Sequence, residues 1–456
     1  MIIRSLCFCL AVTVAGCASV PIEDTPTRAN TSSTALPPMK AFSSPHPDAP
    51  ARSNSNIAAD FLSLHFELES GRALPAFTRF EAPITVRVTG QPPASLGPDL
   101  SRLLSRLRRE AGIDITQVSG GDANLTIEVV RRAEIRKALP QAACFVVPNV
   151  SSLREYRNNR RNPKTDWTKL QSRDRLAIFV PGDASPQELR DCLHEELAQA
   201  IGPLNDLYRL PDSVFNDDNV HTVLTGFDML ILRATYAPEL HTGMSRDQVA
   251  TRLPAILARE NPRGGGVASR QIQPTPREWI TAVQTALGPG TDPATRRSAA
   301  ISAARTAGEQ GWQDHRRAFS LYMLGRMTQA YDPASAQAHY NTALKLLSQT
   351  PATDLHRAYI TTQTAAYAIT IGDGDTALRQ IKPMLSVARQ HENAALLSTL
   401  MLLQAEALDM TGRPDQARAV RVDSLGWARY GFGSDWAVRA KMQEVAALNP
   451  HMGLGG

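Results

Sequence analysis

The chain has no marked excess of charge, no apolar run long enough to cross a bilayer and very few cysteines. Its 49 basic and 44 acidic side chains leave a formal charge of +5 over 456 residues. That is too dilute for the electrostatic footprint of a nucleic-acid binder, so it bears on solubility and excludes nucleic acid as the expected partner. The apolar run from Leu6 to Val14 falls well short of the roughly 20 residues of a spanning helix. With 43% hydrophobic and 20% charged residues, the chain is neither disordered nor membrane-spanning, and it is long enough for two or three domains with ordinary cores.

The N-terminus sets the expected compartment. Arg4 supplies a positive start, Leu6 to Val14 an apolar centre, and Val14-Ala15-Gly16 end on Cys17, the pattern of a small-residue cleavage site. It resembles the lipobox of bacterial lipoproteins. The resemblance implies a signal peptide over 1–16, acylation of Cys17 and a stable lipid anchor, since two or more acyl chains hold where one does not. Ala18 after the cysteine implies delivery to the periplasmic face of the outer membrane. Cys7 and Cys9 leave with the signal, so Cys144 and Cys192 are the thiols left in an oxidising compartment. One disulfide is their most economical state; the alternative is that Cys192 acts as a free ligand or nucleophile.

Residues 17–55 are rich in Pro, Ser, Thr and Ala, too poor in apolar surface to order themselves, and are expected to be a flexible tether. Residues 56–262 read as one mixed α/β domain. Asn56–Ser70 can form an amphipathic helix, Ile84, Val86 and Val88 alternate as a strand, and Leu103, Leu104 and Leu107 recur at helical spacing. Leu125, Ile127 and Val129, then Cys144–Val147, then Leu176–Val180 give further strands. Arg154–Arg175 is dense in basic residues; it is expected to be a solvated loop, with a patch for an anionic envelope polymer as the functional alternative. After a Gly- and Pro-rich linker over 263–276, residues 277–456 are nearly all helical and repeat with a period of 40 to 41: Gly372 and Ala377 recur as Gly412 and Ala417, and Tyr331 and Ala336 stand at the same offset. The expected pairs are 318–330 with 334–347, 355–371 with 376–390, and 394–410 with 415–427. This array resembles the tetratricopeptide class, which implies a protein-binding concave face. The fold class is thus α+β: a mixed α/β domain followed by an all-α helical-repeat domain.

The chemistry concentrates on one helix. Ser185-Pro186-Gln187-Glu188 reads as a capping box with proline at the first position. At about 100° per residue, Leu189, Leu193, Leu197, Ala200 and Ile201 share the buried face, Glu195 and Gln199 share an adjoining one, and Glu196 lies between. His194 projects about 100° or more from both Glu195 and Gln199, so it cannot join them around one ion.

From Glu195 to Asn205 the spacing resembles the H-E-x-x-H-x-x-G-x-x-H helix of the metzincin metalloproteases, with none of its histidines. Glu195, Gln199 and Asn205 stand at the three zinc-ligand positions, Glu196 at the general base and Gly202 at the glycine. Phe215 stands where matrixin-like members place a methionine, and Leu224–Tyr236 looks like their closing helix. The same residues are similar to an uncharacterised proteobacterial lipoprotein family, a likeness that implies no activity. Zinc prefers nitrogen and sulfur, whereas one carboxylate and two amides suit a hard divalent ion weakly or form an internal hydrogen-bond network. The expectation is therefore a non-catalytic, degenerate metzincin-like domain whose repeats bind a protein. The alternative is an active metal-dependent hydrolase with Glu196 as base and Glu195, Gln199 and Asn205 or Asp206 holding the ion.

Overall fold

The computed structural model describes residues 36–42, 47–271 and 273–450. The signal, the lipobox and Cys17 lie outside them. Residues from Pro37 onward form one compact unit, α+β in class: a five-stranded sheet in the N-terminal part, then a long helical region.

The first part runs α1 (Asn54–Phe66), β1 (Ile84–Gly90), α2 (Leu96–Ala111), β2 (Ile115–Gln117), β3 (Leu125–Val130), α3 (Arg132–Ala138), β4 (Phe145–Pro148), α4 (Leu153–Asn159), β5 (Leu176–Pro181), α5 (Pro186–Ile201), α6 (Gly226–Thr235) and α7 (Arg246–Glu260). The strand order is β2-β1-β3-β5-β4, parallel throughout except for β4, which runs antiparallel to β5. Every residue of β5, Leu-Ala-Ile-Phe-Val-Pro, is buried, as expected of a strand covered on both faces. Its alternation divides the interior. Leu176, Ile178 and Val180 enter the main core with α1, α2, α5, α6 and α7, while Ala177 and Phe179 enter a smaller core under α3 and α4 with Ile135, Phe145 and Leu153. The expected strands are present, and one more, β2, pairs Ile115 with Ile84.

The second part runs α8 (Arg277–Leu287), α9 (Pro293–Glu309), α10 (His315–Thr328), α11 (Pro333–Ser348), α12 (Asp354–Thr370), α13 (Gly374–Gln390), α14 (Ala394–Met410), α15 (Pro414–Phe432) and α16 (Asp435–Ala446). The helices pack as repeat-like pairs, α10 with α11, α12 with α13 and α14 with α15. Ala336, Ala377 and Ala417 are fully buried, small residues that let paired helices approach closely. Gly372 and Gly412 turn the chain between partners with φ of 84° and 74°, a conformation that costs glycine nothing.

The helical region does not stand apart from the sheet region. Its face meets the first half of α5 and the long connection 202–225, whose Val220 and Tyr208 enter the cores of the repeats. Nor is the end of the Pro-rich segment free: Arg429 donates to the Pro37 carbonyl at 3.0 Å, Lys40 N–H to that of Gly426 at 3.0 Å, and Phe42 stacks on Trp427. Such a segment buries little of its own surface, but residues of α15 supply the partners it lacks.

Candidate functional site

Helix α5 begins where its sequence says. The Ser185 hydroxyl accepts from Glu188 N–H and Pro186 occupies the first turn. The box is only half made, because the Glu188 carboxylate turns away to Arg132 at 2.6 Å. Cys192 is disulfide-bonded to Cys144, just ahead of β4, which staples the helix to the sheet edge and takes its sulfur out of ligand or nucleophile chemistry. The far end is held by Arg173. Its buried guanidinium donates to the carbonyls of Gln199 at 2.6 Å, of Ala200 at 2.7 Å, and of Gly202. These are the acceptors a helix C-terminus leaves unpaired, and burial pulls the Arg173 pKa down to about 10. One residue of the basic run is thus structural, and Arg175 and Lys164 are paired with Glu155; Arg160, Arg161 and Lys169 are exposed.

The residues at the zinc-ligand positions do not converge on one point. Asn205 is buried with its amide committed to the Ser63 carbonyl of α1 at 3.1 Å. Gln199 is buried and donates to Asp206 Oδ2 at 3.1 Å. His194 faces elsewhere, its Nδ1 accepting from Leu224 N–H at 3.0 Å, and burial with nearby arginines holds its pKa well below the usual range. Phe215 is fully buried in the main core, and Tyr236 closes the region by donating to the Ile201 carbonyl at 2.9 Å.

What gathers instead is acid. Glu69, Asp206 and Asp217 each offer an oxygen within 4.8 Å of the others, and Glu195 and Glu196 stand beside them. Burial, then Asp217 and Glu69, push Glu195 up to about 8. Burial, then Glu69 and Asp218, push Asp217 up to about 7, against a hydrogen bond from Tyr208. Asp206 and Glu196 are raised well above the carboxylate range, burial first and neighbouring carboxylates second. Chemically, such a cluster can hold protons or a hard cation. Glu195, Glu196, Gln199 and Asp206 were accessible from the helix pattern; Glu69 and Asp217 were not. Asp217 lies in an Asn-Asp-Asp-Asn run that carries some signal, while Glu69, in the turn after α1, carries none.

Residues 54–255 match the model of a family described as a protein of unknown function, DUF2927. The match covers the sheet region and leaves the repeats out. No curated protein and no solved structure matches the chain.

Proposed function

We propose that this chain is a lipid-anchored cell-envelope scaffold. In this reading a degenerate metzincin-like domain has lost zinc-peptidase chemistry, and it serves with the tetratricopeptide-like repeats as one protein-binding body. The observation that carries the first half is the commitment of both amides at the ligand positions, Asn205 to Ser63 and Gln199 to Asp206. An amide that holds two elements together is not free to turn toward an ion without breaking that contact, and no nitrogen or sulfur donor stands in their place. The strand and helix order around α5 supports the framework resemblance; fold likeness does not carry activity across an altered site.

For the second half, the repeats offer exposed apolar side chains. Tyr331 is 71% and Ile371 61% exposed, both at inter-helix turns one repeat apart, and Trp436 is 76% exposed. Tyr331 and Ile371 thus stand at corresponding turns, and exposed apolar groups of this kind are what a protein partner can cover. The envelope location rests on the lipobox, and the Cys144–Cys192 bridge suits an oxidising compartment.

Two measurements test the reading. Zinc analysis of the purified protein, with peptide hydrolysis by wild type and Glu196→Gln, should give neither stoichiometric zinc nor activity that the substitution removes. Activity abolished by Glu196→Gln would overturn the non-catalytic reading. Membrane fractionation should move Cys17→Ser into the soluble fraction, and unchanged membrane retention would sink the anchor.

A further inference from the structure

We propose that the cavity between the connection 202–225 and the first repeat helices binds a small carboxylic acid that carries one ring-sized apolar group. This site lies apart from the metalloprotease-like positions on α5, and it does not depend on the scaffold reading.

The packing explains why a cavity stands here. Val220 belongs to one hydrophobic core, Phe319 to a second, and Leu347 and Ile360 to a third, and all four line the cavity. It therefore lies where three separately packed clusters meet. The connection is held and cannot sink in to fill it. Asp218 N–H donates to Asn216 Oδ1 at 3.2 Å, Val220 N–H to Asp218 Oδ1 at 3.0 Å, and His356 Nε2 on α12 to Asp218 Oδ2 at 2.9 Å.

Size and lining select the apolar part of the ligand. The cavity measures about 160 Å³, and an apolar cavity of about 150 Å³ takes benzene. Val220, Phe319, Leu347 and Ile360 are buried in its walls, and Tyr322 and Tyr359 add two more aromatic side chains. One phenyl ring matches that space.

Charge selects the rest. Asp218, the carboxylate in the lining, is already met by His356 and by Asn216 Nδ2 at 2.8 Å. Asn219, Leu287 and Arg326 are the exposed members of the lining and mark its mouth. The Arg326 guanidinium stands 5.8 Å from the Tyr322 ring centre, and no carboxylate pairs with it among the described residues. A guanidinium at the mouth of an apolar cavity can hold a carboxylate by two parallel hydrogen bonds while the apolar group goes inside.

The test titrates the whole protein with 3-phenylpropionate by calorimetry, beside the neutral 3-phenylpropionamide, and locates the ligand by NMR contacts between its ring protons and the Ile360 methyl groups. One molecule per chain is expected, with a Kd on the order of 10⁻⁴ M for a ligand of about eleven non-hydrogen atoms. The amide should bind about tenfold more weakly than the acid, because the charge-assisted bond is lost. Arg326→Gln should weaken the acid by about the same factor and leave the amide unchanged. Leu287→Trp, which sets a ring at the mouth, should weaken both ligands. Both variants change exposed side chains, so their melting temperatures without ligand should stay within about 2 °C of wild type, which separates loss of the site from loss of the fold. Four results would each overturn the proposal: no saturable binding at about 10 mM, an amide that binds as well as the acid, an acid affinity untouched by Arg326→Gln, or ligand contacts that do not include Ile360.

Discussion

Replacing Arg190 by methionine should loosen the repeats from the sheet region. Arg190 lies on the first half of α5 and is 1% exposed. Its guanidinium donates to the Glu392 carbonyl at 2.6 Å, to Glu392 Oε2 at 3.3 Å and to Thr222 Oγ1 at 3.3 Å, and it sits 5.2 Å over the Tyr430 ring. The pair is imperfect. Arg190 Nε and Glu392 Oε1 are both buried without partners, and burial outweighs Arg190, Arg102 and Arg106 in raising the Glu392 pKa. Removing one partner of a buried pair costs about 3–5 kcal/mol, because the other charge is left uncompensated.

The double variants sharpen the arithmetic. Glu392 has φ of 50° in the turn between α13 and α14, a backbone state that costs a residue with a Cβ about 1–2 kcal/mol. Arg190→Met with Glu392→Gln should recover most of the loss by removing the stranded charge. Arg190→Met with Glu392→Gly should recover about 1 kcal/mol more, by also relieving the turn. Urea unfolding followed by circular dichroism reads the whole cycle. An Arg190→Met variant within 1 kcal/mol of wild type, or a double variant no better than the single, would refute the claim that this pair joins the two regions.

Three further outcomes are expected. Burial, with His356 and against Asp314 and Asp218, holds His315 at about 4, neutral, with Nε2 donating to the Tyr208 carbonyl at 2.7 Å. Its folded pKa lies below the unfolded value of about 6.5, so its contribution is complete above pH 6.5 and lost as pH falls toward 4, by about 2 kcal/mol at pH 5. The raised carboxylates shift stability the opposite way, so the measure is the difference between wild type and His315→Gln at pH 7.5 and 5.0; equal pH responses would refute it. Reducing the Cys144–Cys192 bridge, which spans 48 residues, should cost about 4 kcal/mol by the loop-closure relation, read as a lower urea midpoint in reductant that Cys144→Ala/Cys192→Ala reproduces. Arg173→Lys should cost about 2–3 kcal/mol, because an ammonium cannot span the three carbonyls at the end of α5; a midpoint equal to wild type would show that the cap contributes nothing.

The limits of α5, the alternation of β1 and β3 and the continuous apolar run of β5 were legible because each follows from local chemistry: a cap, a period of two, a doubly covered strand. Strand β2 was missed because three residues give no period. The helical pattern singles out neither Gln187 nor Arg190, yet both are buried, since the repeats cover part of α5 and only the tertiary fold can assign that. The same holds for Glu69 and Asp217. A site assembled from separate connections has no spacing to read, whereas Glu195, Glu196 and Gln199 shared one helix and could be placed before any fold was known.

Tyr208 is where the acidic cluster and the repeats meet. Its phenol lies close enough to Asp217 to act on that carboxyl, its ring stands edge-on to Trp279 at 5.1 Å, and its carbonyl accepts from His315. Trp279 in turn packs against Trp312, at the core of the first repeat helices. A change of charge at Asp217 therefore acts on a phenol that is packed into the helical region, and close-packed side chains transmit a shift and do not absorb it. Arg277, at the start of α8, reaches the same place from the other side through the Glu69 carbonyl. The cluster is thus bounded by the groups that fix where the repeats begin, and whatever neutralises it, proton or cation, acts on the junction of the two regions.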